Sequence, residues 1–251
     1  MTLTPSKLRH DQRLAHDLRE VKVTTGVNPH AEGSCLIRFG KTEVLCTASV
    51  QDKVPAWLRG KGQGWLTAEY GMLPRATHER KDREATKGKQ EGRTIEIQRL
   101  IGRSLRAVTD LKALDGFTLW LDCDVLVADG GTRTAAITGS YLAASVAVHH
   151  LQSRRLLKSA APVLRDQVAA ISCGLTSDGV VLDMDYQEDS TTLADGNFVM
   201  AGSGHWVEVQ LSAEQRPVTA QELTTMQQLA QKGLYELFDL QRQVLTAALE
   251  T

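Results

Sequence analysis

The segment FTLWLDCDVLVA, from Phe117 to Ala128, restricts the possible folds more strongly than any other part of the sequence. Its apolar side chains alternate with other residues, as in a β-strand with one buried face, at Leu119, Leu121, Cys123, Val125 and Val127. Asp129-Gly130-Gly131 ends the strand, and a helical pattern runs from about Thr134 to Leu151. We therefore expect a half-buried strand that is joined to a helix through a glycine turn.

Extended segments followed by a helix occur in both halves of the chain. The expected strands are Glu20–Val27, Gly33–Phe39, Glu43–Val50 and Gly64–Tyr70, and later Val168–Leu175, Val180–Tyr186, Asn197–Ala201 and Trp206–Leu211. Further helices are expected from about Thr94 and after Thr219, where a Thr-x-x-Glu capping box precedes an apolar stripe. Strand clusters followed by helices indicate an α+β fold, with helices packed on mixed β-sheets. Because no low-complexity linker interrupts the 251 residues, we expect a single domain over 1–251.

Composition excludes some classes of protein. No apolar run approaches the roughly 18 residues of a transmembrane helix, and the polar start MTLTPSKLRHDQR does not resemble a secretory signal. The four cysteines are far apart, each within an apolar run, and show no zinc-ligand spacing. We interpret them as reduced core residues and predict a cytoplasmic location.

Positive charge is concentrated between Gly60 and Arg106, although the whole chain has a net charge of only -1. The bases of this stretch include Arg75, Arg80, Lys81, Arg83, Lys87, Lys89, Arg93, Arg99, Arg103 and Arg106. A local positive field of this kind suits a phosphate or a polyanion, whereas a merely solvated loop is the alternative. Residues 71–92 show no clean period, and such a long loop within a compact domain is usually functional or disordered.

Two glycine-arginine steps stand at the expected starts of helices. One is Gly131-Thr132-Arg133 after the strand described above, and the other is Gly92-Arg93-Thr94. Glycine lets backbone N–H groups approach a ligand, a helix N-terminus favours an anion, and arginine binds phosphate through two hydrogen bonds. Together the steps could hold one phosphate, or each could be an ordinary helix start with a surface arginine. No GxxxxGK[ST] pattern is present, which excludes a Walker nucleotide site.

Three acids are grouped in VVLDMDYQEDS, namely Asp183, Asp185 and Asp189. In a continuous strand Asp183 and Asp185 would point to the same face, where carboxylates repel one another unless a cation lies among them. One or two such acids suffice for Mg²⁺, and a polar strand edge that leads into a turn is the alternative. With the arginine-rich loop and the two glycine-arginine steps, the cluster favours chemistry at a phosphodiester.

Longer motifs resemble the ribonuclease PH family. They are HAEGSCLIRFGKTEVLCTASV, GQGWLTAEYGMLPRATHER, KGKQEGRTIEIQRLIGRSLRAV, LDCDVLVADGGTRTAAITG and LDMDYQEDS, and the similarity extends from about His30 to Glu214. The resemblance implies a fold like the second domain of ribosomal protein S5, in two related βα halves at roughly 15–150 and 165–251. It also implies a reversible, phosphate-dependent 3′-to-5′ exoribonuclease that trims tRNA precursors and other RNAs, releases nucleoside 5′-diphosphates and forms a homohexameric ring, a trimer of dimers.

The resemblance also implies roles for individual residues. Those matching phosphate-binding positions are Arg93, Gly131, Thr132 and Arg133. Asp183 and Asp189 match acids that serve in catalysis and in binding Mg²⁺ or Mn²⁺. The positions matching RNA-binding arginines are Arg75, Arg80 and Arg83. Inorganic phosphate would be the co-substrate.

Three other readings of the sequence remain at this point. One is a non-catalytic RNA-binding ring subunit, which the intact arginines and acids disfavour. Another is a related phosphorolytic enzyme that acts mainly in mRNA decay or tail addition. A hydrolytic nuclease is the third. Such an enzyme uses water instead of phosphate, so it would not explain the residues that match phosphate-binding positions.

Overall fold

The computed structural model describes residues 8–250, and its first half forms a five-stranded sheet. The strands of this sheet are β1 (Val21–Thr25), β2 (Gly33–Phe39), β3 (Thr42–Gln51), β4 (Trp65–Met72) and β5 (Thr118–Val127). Their spatial order is β1-β2-β3-β5-β4, in which β4 runs parallel to β5 and the other neighbours are antiparallel. A mixed sheet is therefore present, as the sequence predicts.

The second half forms a smaller antiparallel sheet. Its strands are β6 (Val168–Thr176), β7 (Gly179–Leu182), β8 (Ala194–Ala201) and β9 (Trp206–Ala213), in the spatial order β7-β6-β8-β9. Every residue of β6 before Thr176 is buried, because this strand lies inside the sheet with protein on both faces. By contrast, β9 is an edge strand with no buried residue.

Five helices accompany the sheets within residues 8–250. They are α1 (Glu84–Lys87), α2 (Gly92–Ala107), α3 (Thr132–Ser153), α4 (Tyr186–Asp189) and α5 (Ala220–Leu249). The long helix α3 is buried on nearly all sides, and it contacts β2 and β3 of the first sheet and β6 of the second. Small residues permit this close approach: a Cβ atom on Gly33 of β2 would stand 2.0 Å from the carbonyl oxygen of Ala143. The apolar core is thus continuous through α3.

The structure confirms the α+β fold and corrects some boundaries. The capping box at Thr219 forms as expected, with Glu222 at its third position. Helix α3 begins at Thr132, so Thr132 and Arg133 lie in its first turn instead of in the loop before it. The strand expected to reach Tyr186 ends at Leu182, because Asp183 turns into the left-handed region with φ of 51°. Asp183 and Asp185 therefore do not share a strand face.

The sequence analysis also predicted that the chain has neither a secretory signal nor a transmembrane helix. Part of the polar start, on which the absence of a secretory signal was inferred, lies outside residues 8–250. Within that range, none of the helices combines the length and the apolarity that a membrane crossing needs.

Candidate active site

A cavity of about 640 Å³ lies where the two sheets meet at the start of α3. It is lined by charged residues from both halves of the chain: Arg93, Arg133, Asp189 and Asp195. Gly131 and Thr132 line the same cavity. The structure therefore brings together the four predicted phosphate-binding residues and one of the predicted acids, Asp189.

The start of α3 supplies one part of an anion site. Gly131 precedes the helix as its N-cap with φ of 67°, a left-handed conformation that glycine adopts without strain. No side chain caps this helix end, so its first backbone N–H groups keep their capacity to bind an anion. The hydroxyl of Thr132 accepts a hydrogen bond from the Tyr70 hydroxyl at 2.9 Å, which fixes the threonine side chain.

Arg133 is held from two sides. Its Nη1 donates to Oε1 of Gln210 on β9 at 2.8 Å and approaches Oε1 of Glu96 on α2 at 3.4 Å. The side chain is 13% exposed, so the guanidinium is restrained but still reaches the cavity. A preorganised guanidinium loses less conformational freedom when it binds phosphate.

Arg93 brings a second guanidinium from the first turn of α2. Glu91 is the N-cap of this helix, and its side chain makes no capping hydrogen bond. Two helix starts without a side-chain cap, each with an arginine in its first turn, thus border one cavity. Both the helix dipoles and the two guanidinium charges favour an anion there.

Asp189 and Asp195 form an acidic pair on the opposite side of the site. Partial burial raises the pKa of Asp189 above its ordinary value, and the charges of Arg93 and Arg133 oppose this rise. Burial also raises the pKa of Asp195, followed by repulsion from Asp189 and Glu214. Two carboxylates that line one cavity offer hard oxygen atoms of the kind that Mg²⁺ binds. Sequence reasoning missed Asp195, and the only local signal was an acid within the otherwise apolar or small run ADGNFVMA.

Asp183 is not among the residues that line the cavity. Its side chain is fully buried, and both carboxylate oxygens accept hydrogen bonds from Arg19, at 3.0 Å from Nε and 2.7 Å from Nη2. Burial alone would lower the pKa of Arg19, but the charge of Asp183 and its hydrogen bonds raise it. The two residues are therefore a buried ion pair.

The same arginine reaches the loop that precedes α3. Nη1 of Arg19 donates to the carbonyl oxygen of Asp129 at 2.6 Å, and Thr42 Oγ1 donates to the carbonyl oxygen of Gly130 at 2.7 Å. Gly130 lies against the turn of the second half: a Cβ there would meet the carbonyl oxygen of Met184 at 2.6 Å. Arg19 consequently joins the loop before α3 to the turn before α4.

Further side chains from the N-terminal segment stabilise this turn. Arg9 and Arg13 donate to the carbonyl oxygen of Asp183 at 3.2 and 3.0 Å. Arg9 also forms an ion pair with Glu188. The side chain of Asp185 caps α4, and one of its oxygens lies 2.7 Å from Nε2 of His10. The cluster of His10, Asp185 and Glu188 has ligand atoms close enough for a metal, but its acids already serve the cap and the Arg9 ion pair.

The basic loop follows β4 and contains the short helix α1. Its expected RNA-binding residues, Arg75, Arg80 and Arg83, are all exposed, and Arg80 pairs with Asp82 at 3.0 Å. A second cavity of about 900 Å³ lies beneath the loop and shares Arg93 with the first. Its basic lining includes Lys81, Arg83, Lys87 and Lys89. Acids line this cavity as well, namely Asp82, Glu84, Glu91 and Asp124, so basic and acidic side chains are mixed there.

The chain belongs to the 3′ exoribonuclease family. Domain 1 of this family matches residues 17–149, and domain 2 matches residues 166–233. The division into two related halves at roughly 15–150 and 165–251 within a single domain stays a prediction.

Two curated relatives that are more than half identical to this chain are both named ribonuclease PH. The chain is 54% identical over 240 residues to ribonuclease PH of Rhodospirillum rubrum, covering 96% of this chain and 99% of the relative. It is 57% identical over 235 residues to ribonuclease PH of Caulobacter vibrioides, covering 94% and 98% of the two chains.

Solved structures with low sequence identity share the fold. Rrp46 of rice (Oryza sativa) superposes with a TM-score of 0.76 at 18% identity, over 94% of this chain and all of that one. A chain from the structure described as the Archaeoglobus fulgidus exosome with RNA bound to the active site superposes with a TM-score of 0.76 at 18% identity, over 92% of each chain. At this identity the similarity supports the architecture alone.

Proposed function

We propose that this protein is a phosphate-dependent 3′-to-5′ exoribonuclease that trims tRNA precursors and other RNAs. An oxygen of inorganic phosphate attacks the phosphorus of the last phosphodiester, and the bond to the 3′-oxygen of the preceding nucleotide breaks. A nucleoside 5′-diphosphate is released, and the shortened RNA keeps a 3′-hydroxyl. The reaction is reversible, so that a nucleoside diphosphate also extends an RNA end. This function accords with family membership and with the name of the relatives that are more than half identical.

Arg93, Arg133, Thr132 and the backbone at Gly131 bind the attacking phosphate in this proposal. The supporting observation is that two uncapped helix starts, each with an arginine, border one cavity. Ion pairing to both guanidinium groups would place phosphate in a fixed position, and positioning contributes strongly to phosphoryl transfer. This convergence carries the proposal, because hydrolysis by water has no need of a second anion site.

Asp189 and Asp195 are the residues that would hold Mg²⁺, or Mn²⁺ in its place. Both carboxyl groups line the cavity, and burial raises the pKa of each. Carboxylate oxygens are the ligands that a hard divalent cation prefers. A bound cation would supply charge neutralisation at the scissile phosphate. The leaving 3′-oxygen takes its proton from Asp189 or from water. We assign Asp183 to positioning, because Arg19 occupies both of its oxygens.

The exposed arginines of the basic loop bind the RNA body. Arg75, Arg80 and Arg83 would contact the sugar-phosphate backbone, since all three are exposed and Arg83 lines the cavity beneath the loop. A homohexameric ring would bring several such loops together around the RNA. A cytoplasmic location agrees with the four free, buried cysteines.

Product analysis tests the proposed function. The protein is incubated with Mg²⁺ and a tRNA that carries extra 3′ nucleotides, with and without inorganic phosphate, and the released nucleotides are identified. We expect nucleoside diphosphate only when phosphate is present. Nucleoside monophosphate in both reactions would establish hydrolysis instead, and RNA binding without any product would indicate a non-catalytic subunit.

A further inference from the structure

An aromatic pair stands in the wall of the candidate active site. His78 of the basic loop and Tyr186 at the start of α4 have ring centroids 5.9 Å apart and planes inclined at 53°. Both residues line the cavity that contains Arg93, Arg133 and Asp189. Tyr186 is 53% exposed, so the pair leaves much aromatic surface in contact with solvent.

Packing within the protein does not account for this pair. Aromatic side chains contribute to stability mainly by burying their large apolar surface, and both of these rings are exposed. The backbone beneath Tyr186 is nevertheless fixed, because Asp185 and Glu188 form a complete capping box at that turn. Tyr186 is therefore an exposed ring on an ordered support.

The cavity has two chemically different parts. Arg93, Arg133 and Asp189 provide the charged part, whereas His78, Tyr186 and the neighbouring Met72 provide aromatic and apolar surface. A nucleotide has the same division into a charged phosphate and a flat, apolar base. Bases stack on tyrosine and histidine rings in many single-stranded RNA complexes, whatever the base identity.

We propose that Tyr186 and His78 form a stacking subsite for the base of the 3′-terminal nucleotide, and that this contact retains the nucleotide while its phosphodiester is cleaved. The subsite rests on the proposed function, since it takes the cavity to hold an RNA end. Stacking involves the base face, so the subsite accepts all four bases. This tolerance suits an enzyme that removes successive nucleotides from varied 3′ ends.

The test compares RNA with a normal 3′-terminal nucleotide and the same RNA whose last nucleotide lacks its base. We expect Tyr186→Ala to raise KM for normal RNA about tenfold. KM for inorganic phosphate should stay unchanged, and Tyr186→Phe should behave as the parent protein. His78→Ala should raise KM for RNA by a smaller factor. On the abasic RNA, the parent and Tyr186→Ala should have equal KM values.

Tyr235 provides a matched control. It is 46% exposed on α5 and pairs with Phe238 at 6.3 Å, and it does not line the cavity. Tyr235→Ala should leave both KM values unchanged. If Tyr186→Ala raised KM by the same factor for normal and abasic RNA, or left both KM values unchanged, the stacking subsite would be refuted.

Equilibrium binding of ADP separates the subsite from the proposed reaction. Tyr186→Ala should weaken ADP binding about tenfold, while Tyr186→Phe should not. If the protein released no nucleoside diphosphate from RNA but Tyr186→Ala still weakened ADP binding, phosphorolysis would be contradicted and the stacking subsite would stand. Phosphorolysis with equal ADP affinities for the parent and Tyr186→Ala would overturn the subsite alone.

Discussion

Arg19 and Asp183 form a two-point ion pair that is buried beneath the candidate active site, at 2.7 Å between Nη2 and Oδ1 and 3.0 Å between Nε and Oδ2. The backbone N–H of Arg19 adds a third hydrogen bond, at 2.8 Å to Oδ2. Because Nη1 of the same guanidinium reaches Asp129, the loop that precedes α3 and the turn that precedes Asp189 share one anchor. The relative position of Arg133 and Asp189 thus depends on Arg19, which does not itself line the cavity.

Replacing Arg19 with methionine should therefore damage both stability and catalysis. Loss of the guanidinium leaves the buried carboxylate of Asp183 with only the more distant Arg13, at 3.9 Å, which costs up to about 3–5 kcal/mol. Urea unfolding would measure this loss, and kinetics should show a reduced kcat together with a raised KM for phosphate. Lys22→Met, which removes an exposed ion pair of the same strand region, should change neither. A stable Arg19→Met protein with parental kinetics would contradict the anchoring role.

Arg93→Ala and Arg133→Ala should each raise KM for inorganic phosphate about 10- to 100-fold, since each removes a charge-assisted hydrogen bond. RNA affinity should remain nearly unchanged. Steady-state rates at varied phosphate concentration would measure the effect. Arg99→Ala, at an exposed position of the same helix as Arg93, is the control and should keep the parental KM. Full activity of Arg93→Ala at low phosphate would show that the phosphate site is assigned incorrectly.

Asp195→Asn should lower activity at least about 100-fold with Mg²⁺ present, because a carboxylate ligand is lost. The thermal stability of this variant, by contrast, should increase at neutral pH. The folded-state pKa of Asp195 is raised, so its stabilising contribution is complete below the unfolded-state pKa of about 3.9 and is lost as pH rises through the folded-state pKa. At pH 7 the variant should consequently melt about 2 °C higher than the parent, with the difference vanishing near pH 3.

Asp122 supplies the control for this comparison. Burial raises the pKa of this residue too, followed by repulsion from Glu69 and Asp124, but it does not line the candidate active site. Asp122→Asn should raise the melting temperature at pH 7 and keep the activity. An Asp195→Asn protein with parental activity would exclude the acid pair from catalysis.

Replacing Arg75, Arg80 and Arg83 together with alanine should weaken RNA binding without changing KM for phosphate. Each lost contact to single-stranded RNA should reduce the slope of log K against log salt concentration by about 0.7. Binding titrations at several salt concentrations would measure this slope. An unchanged slope would mean that these exposed arginines do not contact the phosphate backbone.

Local patterns predicted most of the strands and helices. The period of two in Phe117–Ala128 indicates β5, and the capping box at Thr219 marks the start of α5. The glycine-arginine steps also predicted that Arg93 and Arg133 stand at helix starts, and the structure places both at one cavity. These features depend on residues that are close in sequence, which is why the sequence reveals them.

The remaining features depend on contacts between distant residues. Asp183 and Arg19 are 164 positions apart, and no local pattern indicates that the acid is buried against the arginine. The left-handed turn at Asp183 ends β7 early, although the sequence continues the alternation of a strand. Asp195 becomes a partner of Asp189 only because β8 returns beside the turn. Of the residues predicted for the site, Arg93, Gly131, Thr132, Arg133 and Asp189 therefore line one cavity, and Asp183 does not.

Helix α3 contacts both sheets, and its first turn belongs to the candidate active site. Any fluctuation that detaches the second sheet from this helix would separate Asp189 and Asp195 from Arg93 and Arg133 while each sheet keeps its own hydrogen bonds. Catalytic activity would then disappear at temperatures or denaturant concentrations at which circular dichroism still reports native secondary structure. Loss of enzyme activity should therefore report separation of the second sheet from α3 before circular dichroism reports any loss of secondary structure.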